Sequence, residues 1–489
     1  SWPCSRGDRL KDPGHVVEET GRKDPCRVVE ETGRKDPCCV VEETGLQDPG
    51  CVVEETANVS NFVTFMNDNY PPGFTYQNFA KEFTAEFFEP NDWADLFQLS
   101  GAKYVVFTAK HHEGYTMWPS KYSFSWNAKD VGPKRDLVGE LASAVRNKTN
   151  LKFGLYHSLF EWFHPLYLQD KANGYKTQYF VGNKTMPELY ELVTTYKPEI
   201  VWSDGPMDGK YTYWNSTQFI AWLYNNSPVK DTVVVNDRWG KGLKCKHGDF
   251  YTCRDHYNPG HLLPYKWENC DTVDKNSWAF RRNAKLEDYH TIQELLSRFI
   301  STVSCGGNFL LNVAPTKYGV ITPIYEERFS QLGTWLAING ESIYDTTAWT
   351  SQSDHLASGV WYTYSIIIYI IIFSLTSLNM INILLKIIGF VESYALSKIK
   401  RGKGKYFIIE YTQKKSNSVV YAIVLNWPKN GLLLLGSPTL VPESTITLLG
   451  YTGNLQWNET GNGIKIQFPD RESVKSKWAW SLKLTNTTN

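Results

Sequence analysis

The sequence carries no excess of either charge. Its 51 Lys and Arg balance 51 Asp and Glu, so nothing in it selects a nucleic acid or another highly charged partner. No Cys-x-x-Cys pair occurs among its nine cysteines. That removes the usual frame of a zinc site, and neither a metal nor another cofactor is expected. No signal peptide is visible either, because residues 1–57 lack an apolar core of roughly 7–15 residues. What the chain does have is aromatic residues, 15% of the total, with 18 Trp and 29 Tyr. Rings stack on the apolar faces of sugars, but large cores also use Trp, so this is only a lean toward carbohydrate.

The first 57 residues repeat. Asp12-Pro starts a unit that recurs at Asp24, Asp36 and Asp48, each with Val-Val-Glu-Glu-Thr. Two valines per unit cannot bury a core, so this segment is expected to have no fold of its own. Sequons stand at Asn58, Asn147, Asn183, Asn215, Asn225, Asn458 and Asn486. Dense sequons without a leader point to a true N-terminus upstream of Ser1.

From Asn58 the pattern alternates between helix and strand. Helical periodicity over Met186–Tyr196 leads into a short apolar strand, Ile200–Trp202, which stops at Ser203-Asp-Gly205. Similar units put strands at Ala102–Lys110, Leu151–Tyr156, Thr232–Asn236 and Asn308–Val313, with helices at Asp136–Val145, Ser216–Tyr224, Thr291–Val303 and about 324–339. The economical reading is a parallel (β/α)8-type barrel over about 58–345. Beyond it, short strands such as Val419–Leu425 predict an antiparallel β-sandwich over 346–489.

In such barrels the chemistry sits where strands end. Three acids stand at candidate strand ends: Asp204, Asp255 and Glu268. Paired carboxyl groups are what glycoside hydrolysis needs, one as nucleophile and one as proton donor. Asp204 alone reads equally as a turn aspartate. His111 and His112 follow the second strand. Adjacent side chains on a strand point to opposite faces, so both reach one site only if the strand has bent. Hydroxyl recognition suits them better than a metal, since nothing completes a ligand set.

The motifs then combine. The chain resembles the α-L-fucosidases of the animal lysosomal type, glycoside hydrolase family 29, through Tyr70-Pro-Pro-Gly-Phe, Lys110-His-His-Glu-Gly, Lys129-Asp-Val-Gly-Pro, Gly154-Leu-Tyr-His-Ser-Leu-Phe-Glu-Trp, Trp202-Ser-Asp-Gly and Val234-Val-Asn-Asp-Arg-Trp-Gly. The signature Pro259, Leu262, Lys266, Trp267, Glu268 and Cys270 adds to it. The resemblance implies a retaining exo-glycosidase that removes terminal α-linked fucose from fucosylated glycans, lysosomal or secreted, and homo-oligomeric. It implies Asp204 as nucleophile and His111, His112, Tyr156, Trp202 and Arg238 as sugar contacts. Asp255 and Glu268 both remain candidates for the acid/base. Asp255 is preferred, because Lys266 beside Glu268 reads equally as a structural ion pair. Cys270 reads as packing or as half of a disulfide.

Two departures qualify this. The family's first barrel strand, with its His-Trp-Gly, has no counterpart upstream of Tyr70, so the barrel is expected to be open on one side. On that ground the chain is expected to fold poorly and release little or no fucose. A foreign block at about 364–410 also interrupts the C-terminal region. Its uncharged run from Ile366 to Leu385, followed by Lys398, Lys400, Arg401, Lys403 and Lys405, has the length of a membrane span. Its polar residues and its place inside one β-domain favour an inserted non-coding artefact over a span. A non-catalytic fucose-binding relative and a defective gene product without a fold are the other readings that stay open.

Overall fold

The structure is a computed structural model that describes residues 60–205, 208–366, 369–375, 400–401, 407–413 and 418–487. The repeats, the sequon Asn58 and the middle of the apolar block therefore lie outside the described residues.

Helix α1 (Ser60–Asn69) is followed by α2 (Pro90–Leu99), β1 (Tyr104–Lys110), α3 (Leu137–Lys148), β2 (Lys152–Ser158), α4 (Pro165–Ala172), α5 (Met186–Tyr196), β3 (Ile200–Asp204), α6 (Ser216–Asn225) and β4 (Val234–Val235). After a long loop come β5 (Trp267–Thr272), α7 (Ile292–Ser304), β6 (Gly307–Asn312) and α8 (Pro323–Asn339). Local chemistry sets these bounds. Pro90, Pro165 and Pro323 open their helices, where a missing N–H costs nothing. The Asp136 side chain caps α3 through Gly139 N–H, and Thr291 with Glu294 makes a capping box on α7.

β1, β2, β3 and β4 form one parallel sheet in that order; β5 and β6 form a second. Among the described residues no strand pairs with the other edge of β1 or of β6. The parallel βα architecture is thus present, while the described residues do not close an eight-stranded ring. The burial shows where the gap lies. All six residues of β5 are buried, and four of five in β3. β1 is only half-buried over its first five residues, and β6 over most of its length. β5 also has one strand partner, but loop residues Tyr251 and His256 bond to its other edge, whereas among the described residues no strand covers the outer edges of β1 and β6.

The C-terminal strands are β7 (Thr347–Ser353), β8 (Val360–Ile366), β9 (Tyr369–Leu375), β10 (Lys400–Arg401), β11 (Phe407–Gln413), β12 (Ser418–Val424), β13 (Leu432–Leu435), β14 (Leu440–Leu448), β15 (Trp457–Thr460), β16 (Gly463–Gln467) and β17 (Trp480–Thr487). A five-stranded antiparallel sheet, β14-β17-β12-β8-β7, and a three-stranded one, β13-β16-β15, share one apolar core that includes Tyr362, Val420, Leu435, Ile466 and Leu482. That is a sheet-on-sheet sandwich. It packs on α7 and α8, where Trp335 Nε1 donates to the Ala479 carbonyl at 2.9 Å.

The apolar block differs from a span. Its described residues 369–375 form strand β9 against β11, and no described helix is long and apolar enough to cross a membrane.

Candidate functional site

Asp204 is the last residue of β3, paired with Ser158 at the end of β2. The next residue, Gly205, has φ +118, and a Cβ there would meet Phe160 at 2.8 Å, so the chain can turn here only with glycine. The carboxylate is heavily partnered. Tyr156 Oη donates to Oδ2 at 2.9 Å, Gly205 N–H donates to Oδ1 at 2.9 Å, Arg238 Nη1 lies 3.5 Å from Oδ1, and His112 Nε2 lies 3.9 Å from Oδ2.

β1 has a register shift between Thr108 and Lys110, so the strand bends before the two histidines. That bend meets the condition set by the sequence: the His111 and His112 rings sit 4.0 Å apart on the same side. His112 Nδ1 is 2.7 Å from Ser158 Oγ, and its ring stacks on Phe160. His111 stacks on Tyr156, Tyr156 stacks on Trp202, and the Arg238 guanidinium lies over Trp202 at 4.9 Å. Burial and the Asp204 carboxylate push the Tyr156 phenol well above its usual range, so it stays a donor. Burial works against the charge on Arg238, but Asp255 and Asp204 outweigh it and hold the guanidinium firmly protonated.

The other two acids occupy different places. Asp255 is not at a strand end; it lies in a turn of the loop between β4 and β5. Arg238 Nη2 donates to its Oδ1, so one guanidinium touches both Asp204 and Asp255. Glu268 is not at a strand end either but is the second residue of β5. Its oxygens accept from Tyr104 Oη at 2.5 Å, Trp202 Nε1 at 3.0 Å and Asn308 Nδ2 at 2.9 Å. Burial raises its pKa, while those three donors oppose the rise. The expected Lys266–Glu268 ion pair does not form: Lys266 is exposed, and the three donors take its place. Trp267 is buried, its indole reaching the Cys305 carbonyl. Cys270 is a buried free thiol beside Glu268 and not part of a disulfide. Exposure separates the acids. The side chains of Asp204 and Asp255 are 17% and 33% exposed, whereas Glu268 is 3% exposed.

Sequence reasoning missed a buried charged layer behind the histidines. Lys110 Nζ lies 2.8 Å from both Glu161 Oε1 and Glu188 Oε2, and Lys184 lies 2.8 Å from Glu188 Oε1. His157 Nε2 lies 3.3 Å from Glu188 Oε2. Its pKa falls to about 4, through burial first and Lys110 second. Two ammonium groups against two carboxylates keep this layer balanced, which a buried cluster requires. A signal existed: Glu188 occupies the buried stripe of α5 with Leu192 and Tyr196, where an apolar residue is the norm.

The site opens into a cavity of about 2210 Å³, well above the roughly 300–1,000 Å³ usual for small-molecule pockets. The excess is apolar. Beyond Asp204 and Arg238 the same space runs between β1 and β6, lined by Val105, Phe107, Phe299, Leu311, Leu332 and Leu336.

The comparisons with known proteins agree with this architecture. The Alpha-L-fucosidase family pattern matches residues 50–341, and that of the α-L-fucosidase C-terminal domain matches 407–485. This chain belongs to the α-L-fucosidase family. Plasma α-L-fucosidase of Rattus norvegicus is 51% identical over 432 residues, 87% of this chain and 83% of the relative. Tissue α-L-fucosidase of Homo sapiens is 49% identical over 424 residues, 86% and 80% respectively. Among solved structures, the Thermotoga maritima α-fucosidase in complex with fucose superposes with a TM-score of 0.66 at 26% identity, covering 92% of each chain.

Proposed function

We propose that the chain hydrolyses terminal α-L-fucose from fucosylated glycans with retention, Asp204 attacking the anomeric carbon and Asp255 serving as acid/base. The observation that carries this is the single guanidinium of Arg238, which touches both carboxylates. A retaining pair has to flank one bond at roughly 5–5.5 Å, and a shared guanidinium brings the two carboxylates into one site. In the first step Asp204 displaces the leaving oxygen while Asp255 gives it a proton. In the second, Asp255 takes a proton from water, which attacks the fucosyl–Asp204 ester. Arg238 and Tyr156 also hold the Asp204 carboxylate in place for the attack. His111, His112 and Tyr156 offer donors and acceptors to the sugar hydroxyls, and Trp202 supports them from below. Glu268 is assigned to holding Trp202, Tyr104 and Asn308 rather than to proton transfer, because its oxygens are occupied and closed to a substrate. Action in the lysosome or outside the cell is supported by the plasma relative and by the exposed sequons Asn147, Asn183, Asn225, Asn458 and Asn486; Asn215 is half-buried.

The open side between β1 and β6 is expected to slow this reaction without changing its kind, so the decisive test counts sites rather than turnovers. The full chain is incubated with a 2-deoxy-2-fluoro-α-L-fucosyl fluoride, whose good leaving group needs little protonation. Peptide mapping is expected to find the label on Asp204, and the Asp204→Gly variant is expected to take none. Label on another carboxylate, or equal labelling of the variant, removes the assignment.

A further inference from the structure

The loop between β4 and β5 supplies both Arg238 and Asp255, yet it contains no helix or named strand between Val235 and Trp267. A stretch of that length has to be tied down if it is to hold two groups of a reaction centre. Its ties are specific. Asp237, fully buried, accepts at Oδ1 from Thr252 N–H and Thr252 Oγ1, both at 2.8 Å, and at Oδ2 from Cys245 N–H at 2.6 Å. Arg238 Nε donates to the carbonyl and the hydroxyl of Thr252, both at 3.0 Å. Backbone bonds from Tyr251 and His256 join the loop to β5. The one covalent tie is the disulfide Cys245–Cys253, eight residues apart. One half stands on the Asp237 carboxylate beside Arg238. The other follows Thr252 and precedes Asp255 by two residues.

Asp204 meets this loop at the Arg238 guanidinium, 3.5 Å from Oδ1, but its place in the site is set by other elements. It is held by β3, by its register with Ser158 and by Tyr156 on β2. The two carboxylates share Arg238 but differ in their main support, the nucleophile in the sheet and the proton donor in a clipped loop.

We infer that the Cys245–Cys253 disulfide is a positioning element of the reaction: it fixes Asp255 against Arg238, and opening it withdraws the proton donor while leaving the nucleophile in place. The inference rests on the reading of Asp255 as acid/base given above. Cys245 is exposed and Cys253 half-buried, so a small thiol can reach the bond. One thiolate attacks one sulfur and releases the other cysteine as thiolate, giving a mixed disulfide. A second thiol then releases the reagent as its own disulfide. Two electrons and two protons pass to the protein, which ends with two thiols.

The test uses the full chain in three states: as purified, reduced with dithiothreitol, and as the Cys245→Ser/Cys253→Ser double variant. Asp255→Ala serves as reference. Single-turnover rates are measured on a dinitrophenyl α-L-fucoside, which needs no acid, and on a phenyl α-L-fucoside, which does. The expected result is a rise of about tenfold or more in the ratio of the two rates after reduction and in the double variant, since general acids contribute about 10²–10⁴. Labelling of Asp204 is expected to persist, and reoxidation is expected to restore the ratio. An unchanged ratio beside a raised one in Asp255→Ala overturns the inference and spares the acid assignment. An unchanged ratio in Asp255→Ala itself overturns the assignment and the inference with it. Equal loss of both rates, in step with melting temperature, shows a merely structural bond and overturns the inference. So does finding both thiols free in the purified protein.

Discussion

β1 and β3 are comparably apolar, Tyr-Val-Val-Phe-Thr-Ala-Lys against Ile-Val-Trp-Ser-Asp, but they are buried to different degrees. β3 lies between two partners and is buried over four of its five residues. Among the described residues β1 has a strand partner on one edge only, and Val105, Val106 and Phe107 stay half-buried. β6, facing it across the cavity, is in the same condition. Composition cannot explain the contrast; a missing neighbour can. A strand keeps its apolar face from water only when something lies beside it, and each uncovered edge also leaves N–H and C=O groups without ladder partners. The closed arc carries the site, with its chain of contacts from His111 to Asp255. The open side carries the excess cavity.

Supplying a neighbour is the strongest way to break that comparison. Residues 1–59 can be replaced by the N-terminal segment of the rat plasma relative, which by family resemblance brings the first barrel strand. Turnover of an aryl α-L-fucoside is expected to rise about a hundredfold, the scale on which small displacements of reacting groups act, and the melting temperature should rise with it. Equal turnover from the two chains would show that something in residues 1–59 already fills the slot.

The closed arc was legible because its signals are periodic. Helix α5 carries apolar residues at helical spacing and runs into β3, so the end of β3, and with it Asp204, follows from the pattern alone. β5 was not legible. Trp-Glu-Asn-Cys-Asp-Thr has four polar residues and no alternation, because all six side chains are buried by different partners. That is why Glu268 was placed at a strand end. The bend that brings both histidines to one face depends on a register shift between β1 and β2, which no local pattern encodes. The Cys245–Cys253 link is equally silent in the sequence, since nine cysteines allow many pairings.

The two candidate acids sharpen the comparison within the arc. Asp255→Ala is expected to slow a phenyl α-L-fucoside by about 10²–10⁴ and a dinitrophenyl one far less. Glu268→Ala leaves Tyr104, Trp202 and Asn308 without their acceptor and should slow both substrates alike, with a loss of melting temperature. If the leaving-group dependence follows Glu268 instead, its raised pKa is the catalytic property and its burial opens during turnover.

The charged layer behind the arc gives a pH dependence that the open side lacks. His157 titrates at about 4 in the folded chain and near 6.5 when unfolded. Between those values the unfolded state binds more protons, so stability rises with pH; it is complete above about 6.5 and lost as pH falls toward 4. The size is about 2–3 kcal/mol for a fully buried group. Melting temperatures at pH 7 and pH 4.5 are expected to differ less in His157→Gln than in the parent chain. Equal differences would remove His157 as the cause.

The smallest effect is expected where the chain departs from both regions. Ile366 pairs with Ser418 at the end of β8 and β12, and Tyr369 pairs with Gln413 a little further on. β9 and β11 therefore prolong the pairing of β8 with β12. A cut at Tyr364 would remove three residues that pair with Ser418–Val420. A cut after Ile366 that resumes at Ser418 would not, and two directly paired residues can be joined by a two-residue turn such as Asn-Gly. Removing 367–417 in this way should leave aryl fucoside turnover within about twofold, because no residue of the site or its charged layer lies there. Soluble yield should increase, since an uncharged apolar run of this length in the sequence is an aggregation hazard. A fall in yield, or a turnover loss well beyond twofold, would mean that the prolonged hairpin packs on the rest of the molecule and belongs to its fold.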